Sequence, residues 1–385
     1  MASKKSKYIE NIKYPYEKKW DKPKTYASFN INNISISLIN GIRRTIISDI
    51  KTFCFRTEPY EKSDIKIIKN DSSLHNEFIA HRIGMIPLNI IDNDFKYDDY
   101  EFIIDEKNNT NFPKEITSND FKILQISTNT LLSKEKVSKI FPKDPITKDP
   151  IIITELKPSY NIINYKMDSY KDELLNTSGK EQFFHIKGKL SLSNGRENSR
   201  YSPVSAISYS YTVNEEKAEV AKDEYIKNEI EIMKEKGLKP KTKEQLTLYF
   251  DTTLKDRYFY ENEEGEPIKF DFIIESIGYI PPLIIFHKGI ENLINRIDGF
   301  LINIKSYNDN IINVRPSPNI TDGFEMKIQN EDDTLGNIIQ EEFFELFCNE
   351  DDEDDEKQLL EYIGYKRRFK FNLYSNNASY TYSKQ

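Results

Sequence analysis

The sequence predicts an α+β fold made of two related strand-to-helix units, with a β-rich insert domain interrupting the first. Three observations carry that prediction. Winding residues 35 to 50 as a helix gathers Leu38, Ile39, Ile42, Ile46 and Ile50 on one arc, directly after the strand-like Phe29-Asn30-Ile31-Asn32-Asn33. The same grammar returns at an offset of 297 residues: Met326, Ile328, Asn330, Thr334, Leu335, Asn337 and Ile339 stand where Phe29, Ile31, Asn33, Ser37, Leu38, Asn40 and Ile42 stood. Between the copies, short β-prone runs recur from Tyr100 to Tyr211.

The elements follow in chain order. Residues 1–24, rich in Lys, Tyr and Pro, read as an arm with little core of its own. In the first helix, Asn40, Arg44 and Ser48 form a strip opposite the apolar arc, with Arg43 at its boundary. Two adjacent arginines supply forked donors suited to carboxylates and carbonyls. Taken alone, that face fits a solvated surface as well as a protein contact. Strands are expected around Ile65-Lys66-Ile67-Ile68, followed by Asn76-Glu77-Phe78-Ile79-Ala80-His81-Arg82-Ile83-Gly84-Met85-Ile86-Pro87-Leu88, in which Pro87 limits any helix.

From 91 to 214 the pattern is β-rich, with runs at Tyr100–Ile104, Ile151–Ile153, His185–Leu192 and Ala206–Tyr211. Glu215 to Lys236 is helix-prone and closed by Gly237 and Pro240, and Thr242 with Gln245 offers a capping box. The resulting hairpin, 215–257, reads either as a docking element or as a spacer. Phe270–Gly278 alternates as a strand, and Ile290, Leu293, Ile294, Ile297, Leu301 and Ile304 recur at helical spacing. The expected division is therefore an arm (1–24), a first unit in two pieces (25–90 and 258–305), an insert (91–214), the hairpin (215–257), a linker (306–321) and a second unit (322–385). Tethering places the two units at high effective concentration. If they pair, the first copy offers Leu38, Ile42, Ile46, Leu293, Ile297 and Leu301 to the interface, and the second Leu335, Ile339 and Phe343. Arg43 and Arg44 become Gln340 and Glu341 in the second copy, so only one half carries a basic face.

Composition excludes several functions. With 385 residues the chain is long enough for two or three domains, and its net charge of −8 argues against general coating of nucleic acid. Cys54 and Cys348 are the only cysteines, which fits a reducing compartment. Neither a signal peptide nor an apolar run of membrane-spanning length is apparent, so a soluble intracellular protein is expected. The region after Leu88 holds Asp92, Asp94, Asp98 and Asp99 but no cysteine, so no zinc is expected there. His75-Asn76-Glu77 matches the His-x-Glu of zinc deaminases without the required Pro-Cys-x-x-Cys. Asp351 to Glu356 reads as a solvated acidic insertion, and no phosphate loop or catalytic signature stands out. His81 reads as a satisfied, partly buried histidine. Lys366, Arg367, Arg368 and Lys370 form a second basic patch on a strand, open to solvent or to a partner.

Phe29 to Arg44, Asn76 to Leu88 and Ser202-Pro203-Val204 resemble the third-largest subunit of eukaryotic RNA polymerase II, its archaeal D-type counterpart and, more distantly, bacterial alpha. Asn330-Glu331-Asp332-Asp333-Thr334-Leu335-Gly336-Asn337 is similar to the signature of their small partner, the L-type polypeptide of archaea. The resemblance implies two RNA polymerase alpha-type dimerisation units forming an intramolecular pseudo-dimer. It implies a non-catalytic assembly platform without cofactors for the largest and second-largest polymerase subunits, joined by a further small subunit, and meeting nucleic acid only through the complex. Asn40, Arg43, Arg44, Ser48, Glu77, His81, Arg82 and Pro87 would then face a large subunit. Such fusions resemble those of large cytoplasmic DNA viruses, which implies residence in the host cytoplasm and virion, with the nucleus as an alternative. In the resembled small partner another strand and a long closing helix follow Gly-Tyr-Lys, whereas here nineteen residues follow, so a truncated second unit is expected. The competing reading is a viral structural or regulatory binding protein that keeps the dimerisation fold outside a polymerase.

Overall fold

The computed structural model describes residues 8–14, 25–90, 95–110, 112–141, 143–144, 147–158, 181–237, 241–278, 280–306, 311–318, 320–348, 360–368 and 379–383. Its elements mix helices with antiparallel sheets, as an α+β chain should.

The first core is a four-stranded sheet covered by two helices. Strands β1 (Ile9–Lys13), β2 (Tyr26–Asn32), β13 (Lys269–Ser276) and β12 (Val204–Tyr211) lie side by side in that order. Period-two alternation points Ala27, Phe29 and Ile31 of β2 and Phe270, Phe272 and Ile274 of β13 to one face, where they are buried. Helix α1 (Ile36–Ser48) lies on that face. It starts because the Ser35 side chain accepts from the Leu38 N–H, satisfying one of the otherwise unpaired first-turn donors. Helix α6 (Pro282–Lys305) opens with proline in its first turn and packs Ile285, Phe286 and Leu293 into the same core. Phe286 meets Phe29 edge-on at 5.0 Å.

A second core gathers β3 (Lys51–Cys54), β4 (Ile65–Asn70), α2 (Asn76–Gly84), β5 (Tyr100–Asn108), β6 (Lys114–Thr117), β7 (Lys122–Gln125), β8 (Thr130–Leu131), α3 (Lys134–Ile140), β9 (Ile152–Leu156), β10 (Gln182–Gly188) and β11 (Ser191–Asn194). Its main sheet runs β4-β10-β5-β7-β8, with β6-β9 and β3-β11 as separate ribbons. Stacked Phe121 and Phe141, 4.5 Å apart, sit at its centre beside Phe55 and Phe102. Ile79, Ile83 and Ile86 bury against this cluster. The cores therefore divide the chain elsewhere than at residue 90. Ile65 and the apolar stripe of α2 find their partners on β5 and β10, and β12 returns to the first sheet instead of ending the insert. The run expected at His185–Leu192 is two strands that leave the line at Lys189 and Leu190.

Helices α4 (Glu215–Glu235) and α5 (Lys243–Tyr249) form the anticipated hairpin, with Ile226, Met233 and Leu246 as its own small core. The Thr242–Gln245 capping box is present. In the last part, β14 (Ile312–Pro316), β15 (Phe324–Gln329), β17 (Ser379–Ser383) and β16 (Gly364–Arg368) form a sheet in that order, followed in chain order after β15 by α7 (Asp333–Phe347). The segments read as an arm and a linker thus carry strands: β1 lies in the arm and β14 in the linker, each paired to the first strand of its unit. The acidic run 351–356 and Lys370 lie outside the described residues.

Candidate functional site

The two strand-helix units match residue for residue at the joint between them. Asn33 and Asn330 both adopt positive φ, 54° and 64°, which Asn tolerates better than most residues. Ser35 and Asp332 both cap the helix that follows. The helices α1 and α7 then pack on each other at Gly41, where a Cβ would stand 2.7 Å from Ile338 Cδ1. Ile338 is the residue 297 positions after Gly41. The polar contacts are exchanged in the same way. Arg44 Nε donates to Thr334 Oγ1 at 2.8 Å, while Glu341 Oε2 accepts from the Ser37 N–H at 2.9 Å and from its hydroxyl. Glu341 thereby places its charge on the first turn of α1, where unpaired N–H groups favour an anion.

This geometry settles where the singled-out residues lie. Arg44 spends a donor on the second unit, Arg43 donates to Asn40 Oδ1 at 2.8 Å, and Ser48 donates to the Arg44 carbonyl and to Asp49. All four, Asn40, Arg43, Arg44 and Ser48, are half-buried. Ile42, Ile46, Leu293 and Leu335 are buried, Leu38 and Ile297 half-buried, and Ile339 packs on Ile328. Leu301 and Phe343 are 43% and 40% exposed. Ile338, which the sequence pattern did not single out, enters the first core.

A network of charges that no local motif announced binds the same joint. Arg296 on α6 donates to Glu331 at 2.7 Å and to Asp332 at 2.8 Å, and lies 3.5 Å from Asp49 at the end of α1. Arg196, in the turn after β11, donates to both Asp49 oxygens and reaches Asp332 at 2.9 Å. Gly195 permits this turn, because a Cβ there would lie 2.2 Å from the Ile47 carbonyl oxygen. Burial opposes charge on Asp332, but Arg296 and Arg196 more than compensate and hold its carboxyl far below the usual carboxylate range. A depressed folded pKa contributes stability that is complete above the unfolded value near 4 and disappears as pH falls toward the folded one. Thermal unfolding followed from pH 6 to pH 2 should therefore show a loss of stability below about pH 4 that Asp332→Asn makes shallower.

The Asn76–Leu88 motif forms α2 and its exit. Gly84 is required there because a Cβ would stand 2.4 Å from Arg200 Nη1 and 3.2 Å from the Phe55 carbonyl oxygen. Arg200, 8% exposed, donates to that carbonyl and to Thr57 and lies 3.5 Å from Glu58. The outer face of α2 presents Glu77, Phe78, His81, Arg82 and Met85 to solvent, with Phe78 62% exposed. Arg82 donates to the Ile152 carbonyl at 2.7 Å and Pro87 is half-buried. His81 is thus exposed, not the partly buried histidine its sequence context suggested.

Three carboxylates, Glu266, Glu341 and Glu345, approach within 4.8 Å of one another. Burial and the neighbouring acids push Glu345 up. Asp99 is engaged by Gln125 and Ser127 in a turn, and Arg367 pairs with Asp333 at 2.9 Å. Cys54, buried against the Arg200 carbonyl, is pushed up to about 11 by that burial. No helix among the described residues is long and apolar enough to cross a membrane.

A family model described as the RNA polymerase Rpb3/Rpb11 dimerisation domain matches residues 28–297. Among similar proteins, a conjugation stage-specific protein of Tetrahymena thermophila is 24% identical over 328 residues, covering 74% of this chain and 93% of that protein. The DNA-directed RNA polymerase subunit Rpo3 of Pyrococcus furiosus is 24% identical over 293 residues, 73% of this chain and 94% of its own length. Its counterpart from Pyrococcus horikoshii is 34% identical over a shorter stretch of 74 residues, 19% of this chain and 26% of that protein.

Proposed function

Because the chain belongs to the RNA polymerase Rpb3/Rpb11 dimerisation-domain family, we propose that it is the assembly platform of a multisubunit DNA-directed RNA polymerase, with both halves of the platform in one polypeptide. The observation that carries this reading is the exchange of contacts across the joint. Arg44 meets Thr334 and Ser37 meets Glu341, and each pair consists of the same two positions swapped between units. Such reciprocity is the property of an isologous two-fold interface. It supports a D-like first unit and an L-like second unit folded as an intramolecular pseudo-dimer, with the second core as the insert.

In this reading the platform performs no chemistry and needs no cofactor. Its exposed α2 face, with Glu77, Phe78, His81 and Arg82, takes the second-largest subunit, while the second unit lies nearer the largest. Asn40 and Arg43, half-buried on the remaining face of α1, extend the first contact, and a further small subunit completes the set. The joining of both halves resembles fusions of large cytoplasmic DNA viruses, and the abundance of Asn, Ile and Lys fits an AT-rich genome, so such a virus is the proposed source, with the chain in the host cytoplasm and the virion. Co-expression with each large subunit tests the platform. The chain should co-purify with the second-largest subunit, and Phe78→Glu, which leaves both cores untouched, should reduce recovery by about tenfold. Failure to recover the chain with either large subunit would refute the proposal.

A further inference from the structure

Among the described residues, strand β4 ends its sheet, and its outer side opens into a groove of about 730 Å³ whose other wall is α2. The register fixes which backbone groups face that groove. Lys189 N–H donates to the Asp64 carbonyl, which is thus turned toward β10 while the Asp64 N–H donates to the Arg56 carbonyl, and Ile65, one residue on, is turned away. Ile65 confirms this, because its N–H and C=O are both held by the Ser63 hydroxyl. By the same alternation Lys66 faces β10 and Ile67, opposite Ile186, directs its N–H and C=O outward. Among the described residues, no turn, loop or cap hydrogen bond from outside the ladder reaches those two groups.

Edge strands are ordinarily guarded against pairing by charge, bulges or a cover. Here the guard is partial. Lys69 is occupied by Asp71 at 3.6 Å and by the Phe183 ring, and the irregularity in β4 falls after Ile67. Apolar surface flanks the open groups: Ile65 and Ile67 on the strand, Ala80 on the helix and Tyr60, 88% exposed, at the mouth. Around them, Glu58, Glu61 and Glu77 outnumber Lys66.

We infer that the groove between β4 and α2 receives an extended segment of the partner polypeptide, which adds as a strand to β4 through Ile67 and brings at least one Lys or Arg to the acidic rim. Main-chain pairing supplies affinity in this mode, and alternate side chains read the pocket. The apolar side chains of the segment settle on Ile67 and Ala80, and its basic side chain meets Glu61 and Glu77. This deepens the platform reading and rests on it, since Glu77 and His81 line the same groove.

The test is amide hydrogen exchange on the full chain, alone and in complex with the co-expressed second-largest subunit. Amides of residues 65–70 should exchange about tenfold or more slowly in the complex. Ile67→Pro, which removes the outward donor, should weaken association by about tenfold, and Ile67→Val should not. If the complex forms with unchanged exchange at 65–70, the groove inference is overturned and the platform reading stands. If the wild-type chain captures no large subunit, both fall. Should Ile67→Pro disturb folding, the wild-type exchange pattern decides alone.

Discussion

Gly84→Val should lower the stability of the chain by about 3 kcal/mol, one of the two largest effects expected from a single change. The added Cβ falls 2.4 Å from Arg200 Nη1 and within 3.2 Å of a backbone oxygen, so relief must come from moving the guanidinium. A long side chain ordinarily moves at little cost. Arg200 does not, because its end is buried and donates to the Phe55 carbonyl and Thr57. Displacing it leaves those acceptors without a partner and a charge in search of one. Denaturant unfolding measures the loss. Arg200→Met supplies the discriminating control: in that background the charge is gone, and Gly84→Val should cost markedly less than it does alone. Additive effects of the two changes would show that the glycine serves some other purpose.

Arg296→Ala should cost roughly 2–3 kcal/mol and loosen the second unit from the first. Removing this side chain leaves Asp49 and Asp332 to Arg196 and takes the paired cation from Glu331, in a site where all four original side chains of the Arg296 cluster are at most 20% exposed. The figure sits at the low end for a broken buried pair because Arg196, 44% exposed, still reaches both Asp49 and Asp332. Limited proteolysis should show faster cleavage between α6 and β14, while the second core keeps its protection. Arg296→Lys keeps the charge but loses the fork, and should recover only part of the stability. An unchanged proteolytic pattern in Arg296→Ala would remove the network from the joint.

Much of the fold was legible because it is written locally. The positions of α6 and of the α4–α5 hairpin follow from apolar spacing and a capping box. The apolar arc over residues 35 to 50 located α1 to within two residues of its observed limits, and the repeat at an offset of 297 pointed to a second strand and helix, found as β15 and α7. The strands β1 and β14 were missed because each is a short polar segment whose pairing is decided by its neighbour, not by its own propensity. The domain boundary after residue 90 was misplaced for a related reason: an apolar stripe says that α2 is buried, but not against which sheet. The charge network was invisible because its five members come from positions 49, 196, 296, 331 and 332, with no common period. At the joint, the change from Arg44 to Glu341 signalled an asymmetry, and its meaning was hidden. The arginine was expected to face outward, and in the structure it donates across to Thr334.

That exchange of Arg44 and Glu341 bears on how such a chain can change over time. In a pair of identical subunits every substitution arrives twice, so a glutamate that suits one helix terminus is forced on the other as well. When the two copies occupy one reading frame, each can be revised alone. Position 44 carries a cation and position 341 an anion, and each contacts a small hydroxyl residue on the opposite helix. Two copies in one chain can thus hold opposite charges at equivalent positions of a joint that is otherwise self-complementary.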